Sequence, residues 1–172
     1  MPRRLYLLRH GPAVNRQRWA GEDSKRPLTN AGRQRVTEIS GALEGLALKL
    51  EIIVTSPYAR ASQTAEIVAR RFGKKTRIEV DGRLAPGFDA ESLAEILKDQ
   101  SKATSLLLIG HEPDLSETIA TVIGGARLKF KKAGLARVDL ARSLPLRGQL
   151  VWFMPPKLLG PFARGILADN QA

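Results

Sequence analysis

The chain has 172 residues, no cysteine, 43% hydrophobic and 26% charged residues and a formal net charge of +11. Disulfide frameworks, thiolate metal sites and cysteine nucleophiles are therefore excluded, and no apolar stretch approaches the ~20 residues of a membrane helix. The length predicts one domain spanning residues 1–172 with a substantial core.

Met1-Pro2-Arg3-Arg4 leads into a short apolar run broken by Arg9, which is no signal peptide, so the expected address is cytoplasmic. Leu5–Arg9 reads as a buried strand, and the polar stretch from Gly11 to Pro27 as a loop. Thr29 is a suitable N-cap for a helix to about Leu46, with Val36, Ile39, Leu43 and Leu46 on one stripe. Leu50–Thr55 is a second strand, stopped by Ser56-Pro57, and Tyr58–Phe72 a helix closed by Gly73. Thr76–Val80 alternates as a shorter strand, Ala85–Asp89 is a loop and Ala90–Asp99 an amphipathic helix. Ser105–Ile109 is the second long buried strand. Pro113 suits the first turn of a helix that Leu115–Ile123 continues. Leu135–Leu140 and Leu150–Phe153 are late strands, and the Pro/Gly-rich tail from Pro155 is expected to wrap the surface. Alternating strands and helices predict a three-layer α/β/α sandwich with a mostly parallel central sheet.

The two histidines of the chain, His10 and His111, each stand where a buried apolar run stops. Ligands gather at the carboxyl ends of strands in such sheets, so two imidazoles at two strand ends, one beside Arg9, point to a shared anion pocket. Arg9 offers a planar fork suited to phosphate oxygens. Arg60 lies within the first turns after the second strand, where a helix N-terminus favours anions.

Leu8-Arg9-His10-Gly11, Pro27-Leu28-Thr29-x-x-Gly32, Ser56-Pro57-x-x-Arg60-Ala61-x-Gln63-Thr64-Ala65 and Gly110-His111-x-Pro113 occur in this order. Together they resemble the histidine phosphatase superfamily, with its phosphoglycerate-mutase-like fold, over nearly the whole chain. Short length and Arg83-Leu84-Ala85-Pro86 are similar to its small branch of SixA-type phosphohistidine phosphatases. The resemblance implies a phosphatase in which His10 is the nucleophile, attacking phosphorus to form a phosphohistidine that water hydrolyses. His10 would attack in its neutral form, with its other ring nitrogen bound to an acceptor such as a backbone carbonyl. Arg9, Arg60 and His111 would hold the phosphoryl oxygens, His111 best as the cation, with no metal or other cofactor required.

One departure is informative. Ester-cleaving members carry a glutamate two residues after the Arg-Leu that follows the third strand, and Arg83-Leu84 leads here to Ala85-Pro86. An alkoxide leaving group needs that acid, whereas imidazole, with a ring pKa of about 6.5, leaves as a far weaker base. The expected substrate is therefore a protein phosphohistidine, on a phosphorelay or carrier protein. Asp89, Glu91 and Glu112 are the candidates for a replacement acid. Asn15 lies one position from the asparagine common after Arg-His-Gly and is not assigned. The alternatives are a small-molecule phosphomonoesterase or mutase of the same fold, acting on a phosphorylated metabolite, and a non-catalytic phosphoprotein-binding module.

From Arg127 to Gly165 nine lysines and arginines stand against one acid, Asp139. Lys131 and Lys132, preceding a late strand, are candidates to face an incoming phosphoprotein, with Arg127 and Lys129 extending the rim. A solvated face is the competing account of the same charge. Aromatic residues make up only 5% of the chain, which argues against a stacking nucleic-acid surface.

Overall fold

A computed structural model of the chain describes residues 3–73, 76–141 and 145–163. The elements run β1 (Arg3–Arg9), α1 (Asn30–Gly45), β2 (Ile52–Thr55), α2 (Ala59–Phe72), β3 (Arg77–Val80), α3 (Ala90–Asp99), β4 (Ser105–Gly110), α4 (Asp114–Val122), β5 (Leu135–Leu140), β6 (Gly148–Met154) and α5 (Pro156–Ala163). The six strands form one sheet in the order β3-β2-β4-β1-β5-β6. The first four are mutually parallel, and β5 and β6 continue it antiparallel.

Each central strand is buried on both faces, so its residues alternate between two apolar layers. Leu5 and Leu7 of β1, Ile52 and Val54 of β2, and Leu106 and Leu108 of β4 meet α3 and α4 through Leu93, Ile96, Leu115 and Ile119. Tyr6, Leu8, Ile53, Leu107 and Ile109 face the opposite layer, where Val36 and Ile39 of α1, Ala65 and Val68 of α2, and Leu159 of α5 pack. This is the expected α/β/α sandwich. Edge strand β3 leaves Ile78 and Val80 exposed.

Thr29 caps α1 as predicted, its Oγ1 accepting from the Gly32 N–H at 2.9 Å. Gly32 has a second duty. A Cβ there would collide with the Pro12 carbonyl, so the turn leaving β1 lies directly on the first turn of α1.

Two regions differ from the sequence reading. The Gly11–Pro27 loop folds into two short 3-10 turns, Arg16–Arg18 and Asp23–Lys25, and Asn15 caps the first by accepting from Gln17 N–H. The tail after Pro155 does not simply wrap the surface. It forms α5, which lies against α1 with Leu159 fully buried. Pro156 is the first residue of α5, where its missing N–H costs no helical bond. The tail beyond residue 163 lies outside the described residues.

Candidate active site

Strand register brings the two histidines together. β1 and β4 pair in parallel with Arg9 opposite Gly110, and β2 pairs with β4 with Thr55 opposite Ile109. The next residue of each strand therefore emerges at the same edge. His10 N–H donates to the Gly110 carbonyl at 3.2 Å and Ser56 N–H to the Ile109 carbonyl at 3.1 Å. His10 and His111 end with ring centroids 5.2 Å apart, only 5% and 3% exposed.

The His10 tautomer follows from its neighbours. Nδ1 lies 2.7 Å from its own residue's following carbonyl, Gly11 O, which can only accept, so Nδ1 carries the proton. Nε2 is left with its lone pair, and it accepts from Arg60 Nε at 3.2 Å. Burial holds the His10 pKa down to about 3, despite the opposing pull of the Gly11 carbonyl, and the charges of His111, Arg60 and Arg9 push it the same way as burial. The imidazole is neutral at any physiological pH. Thr64 secures this turn, its Oγ1 accepting from Gly11 N–H at 3.1 Å and donating to the Arg60 carbonyl at 2.7 Å. Gln63 accepts from Leu28 N–H at 2.9 Å. The Gln-Thr pair of the motif is thus a latch between α2 and the β1–α1 loop.

Arg60 is the second residue of α2 and only 4% exposed. Its NH1 donates to the Asp23 carbonyl at 2.9 Å, and its NH2 pairs with Asp23 Oδ2 at 3.1 Å. Its guanidinium also lies 4.8 Å from the Tyr58 ring centre. Tyr58 meets His111 edge-on, with centroids 5.1 Å apart.

His111 Nε2 is paired with Ser56 Oγ at 2.8 Å. Its Nδ1 is buried with no hydrogen-bond partner, and so is Nε of Arg9, whose NH1 donates to the Phe130 carbonyl at 2.7 Å. Neither nitrogen has a partner among the described residues, which is unusual for buried polar groups in a folded chain. Burial and the Arg60 charge push the His111 pKa down to about 4. The imidazolium that the resemblance implies for His111 is therefore not its state in the free protein.

Of the candidate acids, Glu112 adjoins the site: burial raises its pKa, Arg9 acts on it electrostatically, and its carboxylate accepts from Ser116 Oγ. Asp89 caps α3 by accepting from Ser92 N–H at 2.8 Å, and Glu91 lies exposed in the first turn of α3. Lys131 and Lys132 are exposed on a turn seated against the exit of β1, where Ala133 N–H donates to the Arg9 and His10 carbonyls. Neither lysine makes an ion pair among the described residues. The sequence reading gives no site role to Asp23, Ser56 or Tyr58. The one signal for Asp23 is an arginine three residues later, Arg26, whose Nε it accepts at 2.8 Å.

The profile of the Histidine phosphatase superfamily (branch 1) matches residues 5–87. An uncharacterised protein of Picosynechococcus sp. is 39% identical over 136 residues, 76% of this chain and 81% of that protein. Phosphohistidine phosphatase SixA of Escherichia coli K12 is 29% identical over 155 residues, 88% of this chain and 93% of SixA. The structure of the protein histidine phosphatase SixA complexed with tungstate superimposes with a TM-score of 0.81 at 29% identity, covering 91% of this chain and 99% of that one.

Proposed function

This chain belongs to the histidine phosphatase superfamily and is a phosphatase, and from that premise we propose that it hydrolyses protein phosphohistidine through a phosphoryl intermediate on His10. The observation that carries the reading is the buried, neutral His10, with its Nε2 lone pair turned toward Arg60 and its Nδ1 proton held by Gly11 O. SixA, the similar protein, holds tungstate, a tetrahedral oxyanion of the same shape as phosphate.

In the first step His10 Nε2 forms a bond to phosphorus while the bond from phosphorus to the substrate nitrogen breaks in line with it. Arg60 Nε–H, resting on the Nε2 lone pair, passes to a phosphoryl oxygen as phosphorus takes its place. Arg9 and His111 take the other oxygens, and the incoming dianion favours uptake of a proton from solvent onto His111. The two arginines are fixed before the reaction, so charge developing in the transition state is met with little reorganisation. With its remote ring nitrogen protonated, the substrate ring departs as neutral imidazole, a weak base, and no carboxylic acid is required at the bond that breaks. In the second step water attacks phosphorus, His10 leaves with its lone pair restored, and phosphate is released.

The carboxylates support this substrate class. Asp23 touches Arg60 but is held ionised by Arg26 and Arg60, against the upward push of burial, so it is a poor proton donor. A second reading, hydrolysis of a small phosphate ester, would call on Glu112, the candidate whose pKa is raised.

The test is the purified protein against a phosphohistidine protein, a phosphotyrosine peptide, p-nitrophenyl phosphate and sugar phosphates. Preference for the phosphohistidine protein is expected. Preference for a sugar phosphate would transfer the assignment to the ester reading, and phosphate binding without turnover of any of them would leave a binding module.

A further inference from the structure

We propose that Asp23 is the positioning residue of this site: it fixes Arg60 edge-on to His10 and offsets part of the pocket's positive charge, favouring turnover over retention of phosphate. The inference rests on the function proposed above.

One residue holds Arg60 by two arms. The Asp23 carbonyl accepts from NH1 at 2.9 Å, and its carboxylate oxygen Oδ2 meets NH2 at 3.1 Å. Both terminal nitrogens of the guanidinium are thus engaged, which leaves Nε aimed at His10 Nε2, 3.2 Å away. A guanidinium is planar, so fixing two of its nitrogens fixes the direction of the third. The clamp is itself braced. Asp23 Oδ1 accepts from Arg26 Nε at 2.8 Å and lies 3.3 Å from Arg16 Nε, while Arg26 NH1 donates to the Val14 carbonyl at 2.7 Å. The short turn Asp23–Lys25 is thereby seated on the start of α2.

The carboxylate has an electrostatic consequence as well. Arg9, Arg26 and Arg60 all act electrostatically on His111, and a dianionic product would leave a site so charged slowly. A single negative charge 3.1 Å from Arg60 weakens the hold on any anion bound beside that arginine. Asp23 therefore does two things that its loss would separate: orientation serves the chemical step, and charge serves release.

The experiment uses Asp23→Asn and Asp23→Glu, each alone and combined with Arg60→Ala. Readouts are kcat on the best substrate of the panel, the inhibition constant of inorganic phosphate, and Tm. Asp23→Asn should lower kcat by about tenfold or more, yet bind phosphate some three- to tenfold more tightly. Asp23→Glu, with its charge kept and its reach altered, should restore phosphate affinity to near wild type and only part of kcat. In the Arg60→Ala background Asp23→Asn should change kcat by less than about twofold, because the residue it acts through is gone.

The proposal is overturned if kcat and phosphate affinity fall together with Tm, which is the signature of a merely structural brace. An undiminished cost of Asp23→Asn without Arg60 overturns it equally. Should Asp23→Asn fail to fold, Asp23→Glu and its combination with Arg60→Ala decide by the same criteria. If the wild type turns over no phosphorylated substrate, the proposed function falls, while phosphate affinity measured by calorimetry on wild type and Asp23→Asn still decides the charge effect.

Discussion

Arg60 donates its Nε–H to the Nε2 lone pair of His10 across 3.2 Å, so the cation and the proposed nucleophile rest on one hydrogen bond. Neither group is free to wander before substrate arrives, and in the proposed mechanism displacing that bond is the first event. His10→Ala should abolish turnover without unfolding the chain, because it removes the attacking atom and leaves the apolar layers untouched. Labelled substrate should leave acid-labile, base-stable phosphate on His10. Arg60→Ala and His111→Ala should each slow the chemical step by roughly two to four decades. Turnover by His10→Ala within about tenfold of wild type would sink the covalent mechanism. Activity should survive excess EDTA, and its loss on chelation would mean that a metal takes part.

The second prediction concerns protons. Burial lowers the pKa of His10 to about 3 and of His111 to about 4, whereas unfolded histidine titrates near 6.5. Between those limits the unfolded chain binds more protons than the folded one, so stability is full above about pH 6.5 and falls as pH falls. Each histidine should steepen that fall by roughly 1 kcal/mol per pH unit, measurable by urea unfolding at a series of pH values. His10→Gln should flatten it. These are the only two imidazoles in the chain, so NMR reads each alone. Saturating phosphate should raise the His111 midpoint, and midpoints near 6.5 for both in the free protein would refute the buried neutral pair.

A third prediction follows from the absent acid after Arg83-Leu84. The ratio of kcat/KM for phosphohistidine over an alkyl phosphate should be on the order of a thousandfold or more, a difference of ~4 kcal/mol. Equal rates would mean that a carboxyl group protonates the alkoxide. Glu112→Gln would then remove the ester activity and spare phosphohistidine. Asp89→Asn and Glu91→Gln, at the start of α3, are the controls.

The fourth prediction tests the basic rim. Charge reversal at Lys131 and Lys132 should raise KM for a phosphorylated protein at low salt and leave turnover of a small phosphate nearly unchanged, because exposed charges act on encounter. Added salt should erase the difference as the Debye length shortens below ~8 Å. If small and protein substrates lose equally, these lysines belong to the pocket itself. If neither loses anything, the charge serves solubility alone.

What could be read from the sequence divides along physical lines. His10, His111 and Arg9 are legible because each ends an apolar run, and a run of that length has few places to go but the centre of a sheet. Arg60 is legible because its motif also holds Gln63 and Thr64, which latch α2 to the β1–α1 loop. Asp23 carries no such pattern. It is one polar residue in a polar stretch, and its place depends on how Arg26 folds back to Val14. Ser56 and Tyr58 are positioned by the register of β2 against β4, which composition does not encode. The α5 helix is hidden by the prolines around it, since the same residue that breaks a helix interior is tolerated at its first turn.

The pairing of Arg9 with Gly110 also sets where this chain can change length. One residue inserted or deleted between Leu5 and His10, or between Leu106 and His111, would carry one imidazole past the other and turn every following side chain into the opposite apolar layer. The turns between α3 and β4 can lengthen with no such penalty, since neither strand's register counts from them. Variants with altered loops are therefore the natural raw material for new specificity in this fold, and the two strands are its ruler.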